Sequence, residues 1–233
     1  MLRPLIALAL LVPTLAQAAE RRHSVGSFDR VRVSGPFEVT YTSGSPSARV
    51  SGDARVIERV TVQADGSTLT LRMGGAGWGE RREAGPTEPI RVTLSSPRLA
   101  AVFVNGAGRF SATGVKGGRL DLAASGAGEI AVTDASVDQL SAALTGSGAV
   151  KLAGRAGKVR LTTDGPGRID AEGLRADELT VLMNGAGETR AAARYQANVT
   201  NTGLGGVMVI GRPRCVVKAP AGGPVRCGSS EQR

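Results

Sequence analysis

Histidine is almost missing from this chain. His23 is the only one in 233 residues, and cysteine occurs just twice, at Cys215 and Cys227. A lone histidine at the ragged start of the chain gives no Ser-His-Asp or Cys-His pairing for nucleophilic catalysis. Two sulfurs without further ligands do not make a zinc site, so no metal and no cofactor is expected. Aromatic residues make up 3% of the chain against a net charge of +9. Basic side chains without aromatics between them to stack bases argue against specific nucleic-acid recognition. Such a surface is open to lipopolysaccharide, acidic glycans or no partner at all.

Long apolar runs are lacking as well. A membrane-spanning helix takes about 20 apolar residues, and the best stretch is the short run Leu5 to Val12. That run follows Arg3 and precedes Ala16-Gln17-Ala18, the layout of a secretory signal peptide with an A-x-A cleavage site. Residues 1–18 are therefore expected to be removed, leaving a mature chain that starts at Ala19. Its destination is the periplasm, or the cell surface and extracellular space. In an exported chain Cys215 and Cys227 are expected to pair, closing a short loop worth roughly 3 kcal/mol.

What the sequence has in excess is glycine, 33 residues, and arginine, 25 of the 29 basic side chains. Many of the glycines fall in a recurring tetrapeptide: NGAG from Asn105, SGAG from Ser125, TGSG from Thr145, DGPG from Asp164, NGAG from Asn184 and TGLG from Thr202. The first glycines, Gly106, Gly126, Gly146, Gly165, Gly185 and Gly203, are spaced 20, 20, 19, 20 and 18 residues apart. Periods of this size mark a solenoid. Four and six residues to either side of each first glycine the positions are nearly all apolar, and between them polar residues intervene. That alternation is the signature of strands with one buried face. A second small-residue column, Gly114, Asp134, Gly154, Gly173, Ala193 and Gly211, follows eight or so residues later, so each period reads as two or three strands joined at corners. At one strand spacing per coil, six corners would form a ladder about 24 Å long.

The fold class expected is all-β, a parallel β-helix of about six coils of ~20 residues. Residues 19–73 read as an N-terminal β unit capping it, and 74–89 as a loop rich in glycine and charge that carries Trp78 as a candidate anchor. Residues 90–211 hold the repeats, and 212–233 form a C-terminal cap and tail. The opening FDRVRVSGPFEVTYTSG, the entry PIRVTLSSPRLAAVFVNGAG, the SGAG-type corners and the closing GVMVIGRP together resemble the head GIN domain family, proposed auto-transporter adhesins of bacteria. The resemblance covers roughly residues 27 to 214, and implies an exported, β-helical protein.

No copy of the tetrapeptide completes a G-x-G-x-x-G nucleotide fingerprint, since Ser111, Ala131, Lys151, Asp170, Arg190 and Met208 occupy the place of the third glycine. Calcium-binding nonapeptide repeats and leucine-rich repeats fail on period and columns. The best polar cluster gathers Lys151, Arg168, Asp170, Glu188 and Arg190 from adjacent coils. It reads either as a solvated ladder of cross-strand pairs or as a ligand patch, and in a glycan-active lyase or hydrolase it would hold the acid and base. Three residues before each corner glycine stand Phe103, Ala123, Ala143, Thr162, Leu182 and Thr200, an outward column without charge. It is a candidate partner surface, for an envelope protein, a glycan or another copy of the chain, unless the N-terminal unit or the 74–89 loop covers it. The expected function is a non-catalytic, adhesin-like structural or binding module; the alternative is the glycan-active enzyme.

Overall fold

The computed structural model describes residues 19–74 and 89–229. The expected leader 1–18, Trp78 with residues 75–88, and the last four residues lie outside it. The strands in chain order are β1 (Ala19–His23), β2 (Arg30–Ser34), β3 (Phe37–Ser43), β4 (Ser47–Gly52), β5 (Val60–Asp65), β6 (Thr68–Met73) and β7 (Ile90–Ser96). The repeats follow as β8 (Ala101–Gly106), β9 (Arg109–Thr113), β10 (Lys116–Gly126), β11 (Glu129–Gly146), β12 (Ala149–Asp164), β13 (Arg168–Met183), β14 (Glu188–Asn201), β15 (Gly206–Gly211), β16 (Arg214–Lys218) and β17 (Val225–Ser229). The helical turn α1 (Ala54–Ile57) is capped by Asp53, whose side chain accepts from Arg55 N.

Strand β11 shows how one coil closes. Its buried residues are Ile130 and Val132, then Ala135 and Val137, then Leu140, Ala142 and Leu144. Side chains alternate across a strand, so the parity of burial can change only where the chain turns. It changes at the exposed pair Thr133-Asp134 and again at Asp138-Gln139. With the glycine corner, each coil is a triangle: side one runs 129–133, side two 134–138 and side three 139–145. Asp134 takes a left-handed φ of 54° at the first of these bends. The sides stack in parallel register from coil to coil. Leu120, Leu140, Val159 and Leu179 thus form one inward column, and Phe110, Ile130, Val150 and Ile169 another. The result is a β-solenoid of about six turns.

The third corner explains the tetrapeptide. Gly126 and Gly146 have φ of 87° and 111°, a region that L side chains resist. Stacking adds a stronger demand: a Cβ on Gly146 would stand 2.6 Å from Gly126 O, and one on Gly187 would lie closer still to Gly167 O. Glycine sits on glycine because the backbones of successive corners leave no room for a side chain.

The N-terminal strands join this array out of chain order. β2 lies between β6 and β8, and β3 between β7 and β9, all parallel. Antiparallel β4 and β1 extend one side beyond β7, and antiparallel β5 extends another beyond β6. Gly35 stands at the corner between β2 and β3, and its carbonyl is 2.7 Å from where a Cβ on Gly108 would be. At the other end β16 and β17 add a further rung on β14 and β15. Cys215 is in register with Ala197 and Cys227 with Val209, so both point along core columns. Their disulfide crosses the mouth of the solenoid where the core would otherwise end open.

Candidate functional site: the outward ladders

Outside the triangle, register decides which side chains can meet. On side one a register column runs Arg91, Glu38, Arg109, Glu129, Ala149, Arg168 and Glu188, all but Arg91 standing three residues after a corner glycine. The signs alternate, and neighbouring charges pair. Glu38 lies between Arg91 at 3.7 Å and Arg109 at 3.9 Å, and Arg109 Nε is 2.9 Å from Glu129 Oε2. Ala149 interrupts the column. A shallow hollow opens there, bordered by Arg109, Ser111, Glu129, Ala131 and Lys151.

The cluster singled out from the sequence lies beyond that gap. Arg168 Nε is 3.2 Å from Glu188 Oε2, while Arg190 Nε donates to Glu188 Oε1 at 2.6 Å. The same guanidinium reaches Glu172 at 3.7 Å. Its hydrogen bond to Glu188, and then the charge of that carboxylate, hold Arg190 above the ordinary guanidinium pKa. Lys151, Asp170 and Arg190 are register neighbours in the next column. Asp170 Oδ1 accepts from Glu172 N at 3.3 Å, and Lys151 stands exposed in no ion pair among the described residues. Three of the five residues are thus drawn together around Glu188, and the other two flank them. Asp170 and Glu188 sit diagonally on adjacent rungs, about 7 Å apart. That separation would suit a glycosidic acid–base pair, but both oxygens of Glu188 are occupied by arginines. Chemically the arrangement is an ordered set of surface charges, each exposed pair contributing about 0–1 kcal/mol.

Side three carries the uncharged column. Phe103, Ala123, Ala143, Thr162, Leu182 and Thr200 are consecutive register partners on six rungs. All six are half-buried by their strand neighbours and face outward. At the N-terminal end Arg32 is the register partner of Phe103 and its guanidinium lies 5.4 Å from the ring centroid. The described N-terminal strands lengthen this face by further rungs. Glu172 is the one participant that sequence reasoning left out: it lies past the last alternating position of side one, beside Gly173 at the bend into side two.

Among the described residues no group of three or more His, Cys, Asp and Glu could hold a metal ion, and no helix is long and apolar enough to cross a membrane.

Comparison with solved structures identifies the same fold elsewhere. A putative adhesin from Bacteroides fragilis superposes with a TM-score of 0.78 at 20% identity, over 93% of this chain and 96% of that one. A putative lipid binding protein from Parabacteroides distasonis gives 0.69 at 18% identity, over 90% and 96% of the two chains. A putative adhesin from Parabacteroides merdae gives 0.69 at 20% identity, over 90% and 95%. No curated protein matches the sequence. Residues 27–213 match the family model described as "Putative auto-transporter adhesin, head GIN domain".

Proposed function

The chain belongs to the head GIN domain family, and from that premise we propose that it is an exported, non-catalytic β-solenoid serving as an adhesive or structural binding module of the bacterial cell envelope. The observation that carries the reading is the column on side three. Six consecutive rungs from Phe103 to Thr200 present outward positions with no charge. Contiguous uncharged strips of this kind mark docking surfaces more often than scattered apolar residues do. The disulfide between Cys215 and Cys227 supports an oxidising compartment, in line with removal of residues 1–18 on export. The pairing of Glu188 with two arginines favours binding over acid–base catalysis at the side-one cluster.

Pull-down from envelope extract with purified mature protein tests the reading. Leu182→Asp should weaken capture, or self-association if the partner is a second copy, by at least tenfold while leaving the thermal unfolding transition in place. If that variant unfolds instead, Leu182 belongs to the core and the surface is lost as a candidate. Cleavage of peptidoglycan or polysaccharide by the pure protein, abolished in Asp170→Ala or Glu188→Ala, would replace the binding module with a glycan-active enzyme.

A further inference from the structure

Side two carries a set of charges unlike the other two. Arg155, Arg175, Arg194 and Arg212 occur once per coil, each one or two residues after the small residue at the preceding bend. Arg155 and Arg175 are register partners. The ladder slips on the next rung, where Arg175 is opposite Ala192 and Arg194 lies two residues farther along. Arg175 and Arg194 border one hollow with Arg155 and a second with Arg212, so the four form a staggered band over successive coils. The row continues toward the N-terminus through Ser136, whose Oγ accepts from Arg155 Nε at 3.0 Å, to Lys116, the register partner of Ser136.

On side one the arginines of adjacent rungs are matched with glutamates. Here all four are exposed, and none takes part in an ion pair among the described residues. Asp138 and Asp177 border the row along the next bend without reaching ion-pair distance. Like charges directly opposite on neighbouring strands destabilise a sheet, as Arg155 and Arg175 are here, and a ligand of opposite charge would relieve that cost. Beside them Tyr195 is 57% exposed, and the Arg194 guanidinium lies 4.7 Å from its ring centroid.

We propose that this band binds a linear acidic polysaccharide, the arginines taking its carboxylates while a pyranose ring lies against Tyr195. The planar guanidinium fork suits a carboxylate in two-point contact. A DNA duplex fits less well, since its phosphates wind around the helix axis while the four arginines keep to one side of the solenoid. Single-stranded nucleic acid would want several aromatic platforms, and the row has one. The inference rests on the binding-module reading and names a ligand class for it, on a different face from Phe103 and Leu182.

The test is titration of the full mature protein with polygalacturonate oligosaccharides, with neutral dextran, single-stranded DNA and duplex DNA as comparison probes. Wild type should bind the polyuronate and not dextran. Arg175→Gln/Arg194→Gln should weaken binding at least tenfold, and Tyr195→Ala by a smaller factor. Arg72→Gln/Arg98→Gln removes the same charge from exposed positions elsewhere and should change affinity less than twofold. Equal losses in the two double variants would reduce the binding to net charge and overturn the proposal, as would tighter binding of either DNA. If polyuronate fails to bind while envelope capture persists and still depends on Leu182, the ligand assignment falls and the module stands. Loss of both ends both. Circular dichroism identical to wild type is required of each variant, and Arg175→Lys/Arg194→Lys, which keeps charge without the fork, should recover binding only in part.

Discussion

Thr163 and Thr189 offer a quantitative check on how the core is held. They lie on opposite sides of a glycine corner, on successive coils, at 0% exposure, and their hydroxyls are 2.8 Å apart. Replacing Thr163 with valine keeps the shape but leaves the Thr189 hydroxyl buried with no partner. An orphaned buried group of this kind costs about 1–3 kcal/mol, and the new methyl returns up to ~0.8 kcal/mol. The net expectation is a loss of about 1–2 kcal/mol. Thr189→Val should cost the same by the same reasoning. In Thr163→Val/Thr189→Val no polar group remains to be orphaned, and valine suits a strand, so stability should return to within about 0.5 kcal/mol of wild type or exceed it. The cycle thus gives an interaction energy of about −3 kcal/mol, near the upper limit for contacting residues. Urea unfolding followed by far-ultraviolet circular dichroism measures it, with the disulfide intact and with unchanged m-values as evidence that all variants unfold alike. Single losses that add up in the double variant within about 0.5 kcal/mol would refute the reasoning.

Reducing the Cys215–Cys227 bond, which closes a loop of sequence separation 12, should cost roughly 3 kcal/mol. Neighbour-only coupling in a solenoid confines the effect: hydrogen exchange after reduction should speed up in β16 and β17 while β11 and β12 keep their protection. A uniform increase would refute that locality. Tyr41 is 1% exposed, its hydroxyl donates to Ser96 O at 2.7 Å, and burial raises its pKa from 10.0 to about 12. A raised folded pKa means stability that is complete below pH 10 and falls as pH rises from 10 toward 12, by about 1.4 kcal/mol per unit at most. Tyr41→Phe should show a shallower decline over that window; parallel pH curves for the two proteins would contradict it.

Much of this architecture was legible in the chain because its main constraint is local. The corner glycines and the apolar columns on either side of them predicted sides one and three and their parallel stacking. Side two was legible only as an optional third strand after the second small-residue column, because it buries only a couple of residues per coil, Ala135 and Val137 or Leu174 and Ala176, and because the ladder slips between Val132 and Ala135 and between Ala171 and Arg175. Those slips scatter the arginines of side two between nine and ten residues after the corner glycine, so no fixed column contains them all. The corner at Gly35 was hidden by Phe37, which stands where the repeats have a second glycine. For the side-one cluster, spacing foresaw that Arg168, Glu188 and Arg190 would be neighbours. It did not separate Lys151, unpaired at the edge of the hollow, from the residues that pair. The position of β2 between β6 and β8 was beyond local reading altogether, since it depends on partners distant in the chain.

That displaced strand has a consequence for how the chain reaches its shape as it leaves the ribosome or a secretion channel. A solenoid whose coils stack in chain order can add each one to the last as it emerges, amino end first. Here residues 30–34 need 68–73 on one flank and 101–106 on the other, so the earliest segment has no complete berth until residue 106 is out. The array from β10 onward can assemble without waiting, each new strand landing on the one before it. A chain stalled before residue 106 would therefore leave its own beginning unfinished, whereas one stalled later would lack only the far rungs.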